Sequence, residues 1–351
     1  MKKERQIAVL GAGNVANGMH LPAWRNIKAE VVAVCDTNRA SAERTAKNWK
    51  IPRVYTDFDE LLEVEKGAII DICTPPVTHA PLSIKAMEAG FNVVLEKPMT
   101  MSIEESAEIL TEYHKKREEI QLCVIHNYLF SHSMLKIKSI LEKKRVEILD
   151  VNISMLHTLT DEMISDKNHW VHSLPRGRFG ECLIHPVYLL RNLLGELTIR
   201  DVWSAKRGPY DWVQYDELHA TFNSNEKIGS IYISFNSPRE SSFPLMNIYG
   251  KNAIINFDGT NSTLTVQGRL NTSARTGRIA DAFKVSSQTI GSTTKNAFNV
   301  LRGKWKSGHE NLFRFFVDSI SEDKEMPYTP EEAFEANRTF LEVLEKIGKT
   351  A

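Results

Sequence analysis

The stretch Ile7-Ala8-Val9-Leu10-Gly11-Ala12-Gly13-Asn14-Val15-Ala16 decides the fold. An apolar run of strand length enters G-x-G-x-x-A directly, the pattern of a strand-to-helix turn that receives a dinucleotide. Each small residue has a steric task. Gly11 permits the tight turn, Gly13 lets the backbone approach a pyrophosphate because no Cβ intervenes, and Ala16 keeps the helix close to the strand. The helix N-terminus at Asn14, Val15 and Ala16 then offers unpaired N–H groups and the positive end of its dipole to the phosphates.

Asp36 follows Ala16 by 20 residues, at the end of the next apolar run. A carboxylate there accepts hydrogen bonds from the ribose hydroxyls of NAD and repels the 2′-phosphate of NADP, so NAD is the expected cofactor. Arg39 keeps NADP open, because a guanidinium near the ribose accommodates a 2′-phosphate. The competing reading has the glycines cap a turn and Asp36 cap the following helix.

Outward from this turn, short apolar runs alternate with amphipathic stretches as far as residue 125. Strands are expected at Ile7–Leu10, Val31–Val34, Arg53–Tyr55, Ala68–Cys73, Val93–Leu95 and Leu122–Ile125, with helices at Ser41–Trp49, Asp59–Glu63, Ala80–Ala89 and Ile103–Arg117. That alternation predicts an α/β Rossmann domain over residues 1–125, a doubly wound parallel sheet. Residues 126–351 read differently, as an α+β substrate-binding and oligomerisation domain with a large, mostly antiparallel open sheet. A helix near Ser133–Lys144 precedes alternating runs at Val146–Leu156, Ile199–Ala205, Glu217–Phe222, Gly229–Phe235, Met246–Tyr249, Ala253–Phe257 and Thr263–Val266. Two helices close the chain, His309–Ser321 and Pro330–Ile347, the second with Thr329 as N-cap and Pro330 at its first position.

Composition bounds what these domains do. The 351 residues carry 44 Lys+Arg against 44 Asp+Glu, a balance that gives no overall attraction to a polyanion, so no nucleic-acid partner is expected. With 42% hydrophobic residues the chain has material for sizeable cores, which excludes wholesale disorder. Cys35, Cys73, Cys123 and Cys182 are scattered and read as free thiols of a reducing compartment. The charged start MKKERQ leads straight into IAVL, too short for a signal peptide or a membrane span, so a cytoplasmic location is expected. One segment breaks the balance. Between Thr260 and His309 the only acid is Asp281, against Arg269, Arg275, Arg278, Lys284, Lys295, Arg302, Lys304 and Lys306. Its Ser, Thr and Gly content reads as a solvated, mobile insertion, with an anion or partner site as the alternative.

A second constellation lies at carboxyl ends of the expected strands, where open α/β sheets bind ligands. Val93–Leu95 is followed by Glu96-Lys97-Pro98, and the preceding strand by Thr74-Pro75-Pro76 with His79 shortly after. GAGNVA, Asp36, TPPVTH, EKP and HNYLFS, continued by Gly180-Glu181-Cys182-Leu183-Ile184-His185, resemble the Gfo/Idh/MocA oxidoreductase family, named for glucose–fructose oxidoreductase and inositol dehydrogenase. The resemblance implies that Lys97 positions a substrate hydroxyl and shares in proton transfer, and that Thr74, Pro75, His79 and Glu96 line the cofactor. It makes His185 the candidate general base, since imidazole titrates near neutral pH and hydride leaves only as the hydroxyl proton is removed. Glu181, where the family usually has aspartate, is an i, i+4 neighbour of His185 that orients the imidazole or binds a sugar hydroxyl. Asn127 matches a family position near the domain junction. Trp170, His172, Arg176 and Arg178 suggest a sugar-stacking and phosphate-binding wall, with an exposed basic loop as the plainer reading.

No metal is expected, because His169 and His172 lack a companion cluster of the zinc or iron type. The leading expectation is NAD-dependent oxidation of a secondary alcohol on a sugar, sugar nucleotide or cyclitol. Two alternatives remain open: a redox-neutral elimination or glycoside cleavage with retained NAD, and a catalytically silent NAD-binding regulator. A homo-oligomer is expected because an open antiparallel sheet leaves one face to be covered.

Overall fold

Six strands pair in parallel: β1 (Gln6–Leu10), β2 (Glu30–Cys35), β3 (Arg53–Tyr55), β4 (Ile69–Ile72), β5 (Asn92–Leu95) and β6 (Leu122–Val124). The computed structural model describes residues 6–241, 243–268, 274–301, 308–322 and 324–349, which fall into two units. The first comprises the described residues up to 131 with 308–338, and the second 132–301 with 339–349.

In the first unit the strand order β3-β2-β1-β4-β5-β6 reverses direction between β1 and β4, which is the topological switch point of a doubly wound sheet. β1, β4, β5 and β6 are almost wholly buried, as expected of parallel strands covered on both faces. Helices between them begin where short polar side chains take orphan N–H groups: Asn38 caps Arg39–Trp49, Asp57 caps Phe58–Val64 and Ser102 caps Ile103–Lys116. Helix His309–Glu322 returns to this unit, stacking Phe313 on Trp24 with ring centroids 3.9 Å apart and planes 9° from parallel. Thr329 and Glu332 form a reciprocal capping box at the start of helix Pro330–Lys346, with Pro330 at its first position.

The second unit is built on seven strands: β7 (Ile148–Leu156), β8 (Thr198–Ala205), β9 (Glu217–Ser224), β10 (Lys227–Ser234), β11 (Leu245–Gly250), β12 (Ala253–Asp258) and β13 (Thr263–Gly268). They lie in the order β13-β12-β11-β7-β10-β9-β8, antiparallel except for the β7–β10 pair. Alternation sorts the side chains. Val151, Ile153, Ile231, Ile233, Phe222, Ile248 and Ile255 are buried on one face, where helix Ile184–Leu194 packs. Trp203, Ile228, Tyr232, Tyr249 and Ile254 stand exposed on the other, among asparagine, serine and threonine.

The basic segment requires a correction. Residues Ala274–Leu301 form one 28-residue helix rather than an irregular insertion. Polar groups hold it to β13: the Gln288 side chain accepts from Val266 N and donates to Val266 O, and Gln267 donates to Asp281. Ile279, Phe283, Ile290 and Leu301 point outward, exposed. Arg269, Arg302, Lys304 and Lys306 lie outside the described residues.

Candidate functional site

In the first unit the glycine turn stands at the C-terminal edge of β1. Gly11 has φ +100° and a Cβ there would come within 2.8 Å of Cys73 O, so only glycine allows the chain to pass so close to the end of β4. Gly13 is exposed, and a Cβ on it would meet nothing within 4 Å, which leaves the backbone open to a ligand. Asn14 and Val15 are exposed at the helix start while Ala16 is buried against the strand. Asp36, half-buried at the end of β2, accepts from Ala12 N and from Asn38 N, both at 2.8 Å, which sets its carboxylate beside the turn. Turn, open approach and carboxylate together fit a dinucleotide with free ribose hydroxyls. Arg39 is engaged by Glu43 at 2.9 Å on the exposed side of its helix, so the feature that kept NADP open is turned to a neighbour.

The helix after the turn passes through a π-turn at Ala16–His20 before continuing as Leu21–Asn26. That wider turn delivers His20, fully buried, to the ends of β4 and β5. His20 Nδ1 lies 2.9 and 3.0 Å from the two Asp71 oxygens, and Nε2 lies 2.7 Å from Glu96 Oε1. The Trp24 indole donates to Asp71 Oδ2 at 2.6 Å, and Cys73 Sγ is 3.2 Å from His20 Nδ1. Burial opposes a charged His20, but the charge and hydrogen bond of Asp71 overcome it and raise its pKa well above the ordinary histidine range. Burial likewise opposes ionisation of Glu96, and its hydrogen bond to His20, with the charges of His20, Lys97 and His309, brings it down to about 2. Burial and the Asp71 charge push the Cys73 thiol up to about 12, so it remains a thiol.

Glu96, expected from the resemblance to touch the cofactor, therefore has its carboxylate turned into the core, where Oε2 accepts the Lys97 backbone N–H at 2.9 Å. Lys97 follows β5 and is half-buried. His79 is fully buried with its ring nitrogens 2.9 Å from Thr74 O and Pro98 O, stapling the loop after β4 to the Lys97 loop. Thr74 receives the Thr78 hydroxyl, Pro75 caps the short turn Pro76–Thr78, and Asn127 is buried in the turn Asn127–Phe130.

In the second unit Glu181 and His185 fall on consecutive short helices, Arg178–Cys182 and Ile184–Leu194, that meet at Leu183. Glu181 is bonded to Arg178, whereas His185 is buried with Nδ1 2.9 Å from the Tyr188 hydroxyl. Arg178 also reaches Asp161 Oδ2 at 3.3 Å. Arg176 Nε donates to Leu344 O, and a His172 ring nitrogen lies 3.1 Å from Asp166 O. Trp170 stands exposed in the turn Trp170–Ser173.

Sequence reasoning missed His20, Asp71 and His309, and in the second unit His157, Asp161 and Glu240. One signal was available: Asp71 interrupts the apolar strand Ile-Ile-Asp-Ile, and a charge buried in a strand demands a partner. Among the described residues three groups of donor atoms come close enough for a metal: His20–Asp71–Cys73, His20–Glu96–His309 and His157–Asp161–Glu240. The first two share His20, whose ring nitrogens face Asp71 and Glu96 at hydrogen-bond distance. In the third, His157 Nδ1 is 3.6 Å from Asp161 and 3.8 Å from Glu240, beyond hydrogen-bond distance, and both ring nitrogens are unpartnered.

A six-stranded parallel sheet with a glycine turn and a ribose-side carboxylate at its switch point defines an NAD-binding Rossmann domain. Residues 5–124 match the Gfo/Idh/MocA family model, described as "Oxidoreductase family, NAD-binding Rossmann fold". The Escherichia coli D-glucoside 3-dehydrogenase is 29% identical over 133 residues, which is 37% of this chain and 38% of that protein. The chain thus aligns with little more than a third of that relative's length. Over nearly the whole chain the fold is shared with two solved structures. Levoglucosan dehydrogenase in complex with NADH has a TM-score of 0.80 at 18% identity, covering 98% of this chain and 97% of that one. The WlbA dehydrogenase from Bordetella pertussis, in complex with NADH and UDP-GlcNAcA, has a TM-score of 0.77 at 18% identity, covering 98% and 96%. Among the described residues no helix is long and apolar enough to cross a membrane.

Proposed function

We propose that the protein is an NAD-dependent dehydrogenase that oxidises a secondary alcohol of a sugar, sugar nucleotide or cyclitol. The observation that carries the reading is Lys97, held by its backbone at the C-terminal end of β5, with β4 alone between β5 and the strand that ends in the dinucleotide turn. Bound NAD supplies the hydride acceptor. Gly11, Gly13 and the N–H groups of Asn14, Val15 and Ala16 receive its pyrophosphate, and Asp36 receives a ribose. Lys97 orients the substrate hydroxyl and shares in taking its proton. From the second unit, His185 is the proposed general base, its ring fixed by the Tyr188 hydroxyl, and Glu181 with Arg178 binds polar substituents of the sugar. Relatives and fold neighbours that act on or bind a glucoside, levoglucosan or a UDP-sugar support the substrate class.

The test is NADH appearance at 340 nm with D-glucose, methyl glucoside, UDP-N-acetylglucosamine and myo-inositol. Lys97→Ala lowers turnover by ~10²–10⁴ while NADH affinity stays nearly unchanged; unaltered turnover removes Lys97 from the chemistry. Asp36→Ala weakens NAD by about tenfold or more, the worth of a charge-assisted hydrogen bond, and narrows the preference over NADP. Equal affinities before and after the change overturn the ribose assignment. We also propose a homo-oligomer formed through the outward sheet face that carries Trp203, Ile228, Tyr232, Tyr249 and Ile254. Size-exclusion chromatography with light scattering decides it, a monomeric mass overturning the proposal.

A further inference from the structure

His20 and its neighbours have the geometry of a clamp. Its nitrogens lie 2.9 Å from Asp71 Oδ1 and 2.7 Å from Glu96 Oε1. An ionised carboxylate accepts and cannot donate, so both contacts are hydrogen bonds only when both ring nitrogens carry hydrogen. We propose that His20 is a positioning residue: as an imidazolium it ties Glu96 to Asp71, and Glu96 holds the Lys97 backbone N–H, so that the Lys97 loop is fixed to the helix that carries the dinucleotide turn. The inference rests on the reading of Lys97 as a proton-handling group.

Three features of the first unit support it. The first is reach: the π-turn Ala16–His20 widens the helix where an imidazole must touch two strand ends, and such turns gather at functional sites. The second is completeness. Asp71 also receives the Trp24 indole, Glu96 also receives Lys97 N–H, Cys73 Sγ abuts Nδ1, and the rings of Phe313 and His309 close the remaining sides at 5.2 and 5.3 Å. His309 Nε2 is 4.0 Å from Glu96 Oε1, and burial, with the positive charges of His20 and Lys97, brings His309 down to about 3, so it adds no second cation. The third is economy: well-packed apolar residues serve stability as well as a buried ion triad does, so the triad is explained by what it orients. Glu96 is coupled electrostatically to both His20 and Lys97, so losing the His20 cation leaves more of its negative charge to favour the Lys97 ammonium.

The experiment compares wild type, His20→Gln and Lys97→Ala, with the best-turned-over member of the sugar panel and with NADH binding followed by fluorescence. His20→Gln is expected to lower kcat by ~10²-fold, the scale of a displacement near 1 Å at the reacting groups, while the Kd for NADH changes less than about threefold. The ascending limb of its kcat–pH profile moves to higher pH. If folded His20→Gln keeps wild-type kcat and pH profile while Lys97→Ala abolishes turnover, the clamp is wrong and the reading of Lys97 stands. If Lys97→Ala turns over normally, the reading itself fails. A proportional loss of kcat and NADH affinity marks general loosening and overturns the positioning role. Should His20→Gln not fold, ¹⁵N spectra of the wild-type histidines decide, with His20 assigned through its proximity to the Trp24 indole N–H. Two protonated ring nitrogens at pH 7 support the clamp, and a neutral tautomer sinks it.

Discussion

His20 in the first unit and His157 in the second are each buried with two carboxylates within reach, yet they hold opposite protonation states. At His20 the separations are 2.7–3.0 Å, and the ring is charged. At His157 they are 3.6 and 3.8 Å; burial, joined by the Arg178 charge and opposed by Asp161, brings its pKa down to about 3. The carboxylates explain the contrast. Asp71 and Glu96 are themselves buried and have His20 as the cation between them, whereas Asp161 is already matched by Arg178 at 3.3 Å and Glu240 is half exposed to water. A buried histidine is therefore charged by buried carboxylates at hydrogen-bond distance from its ring, and the mere presence of acids nearby does not suffice.

The largest expected effect breaks the first cluster. His20→Ala leaves Asp71 and Glu96 buried without their shared cation, a loss of ~3–5 kcal/mol in unfolding free energy, read from guanidinium denaturation midpoints. A loss under about 1 kcal/mol would mean that the two carboxylates share a proton or admit water. The pH dependence has a definite sign. The folded pKa of His20 is raised, so its contribution is complete below the unfolded value of about 6.5 and is lost as pH climbs through the folded value.

The doubly wound sheet was legible because its signals are local: apolar runs of strand length, a glycine turn with one steric solution, and an acid at the end of the next strand. Strands of the second sheet were equally plain from alternation. The clusters were not legible, since His20 meets Glu96 across 76 positions and Asp71 across 51, and only the sheet order makes them neighbours. The EKP motif names Glu96 but not the direction of its carboxylate, whose oxygens meet His20 and the Lys97 backbone N–H. Helix Ala274–Leu301 was missed for a third reason. Its inward seam is polar, with Asp281, Gln288 and Asn296 toward β13, while Ile279, Phe283 and Ile290 face out, the inverse of the usual amphipathic helix.

His157→Leu sharpens the comparison from the other side and has the smallest effect near neutral pH. The unpartnered ring nitrogens are desolvated without return, at about 1–3 kcal/mol for such a group, and leucine removes that penalty. Against it stands the edge contact of the imidazole with Phe235 at 5.8 Å, worth ~0.5–1.5 kcal/mol for an aromatic pair. At pH 7 the two nearly cancel, and the variant should lie within about 1 kcal/mol of wild type, on the stable side. Acid separates them. Between the unfolded value near 6.5 and the folded value of about 3 the unfolded chain binds a proton at residue 157 that the folded one does not. Wild type therefore loses up to about 1.4 kcal/mol per pH unit through this group as pH falls, and His157→Leu is spared that part. His126 and His309, both down at about 3, give wild type and variant the same slope, so urea unfolding of the two proteins measured from pH 7 down to pH 4 isolates residue 157 in the difference. Parallel series, or a loss of 2 kcal/mol or more at pH 7, would show that ordered water satisfies the His157 ring and that the two histidines differ less than their distances imply.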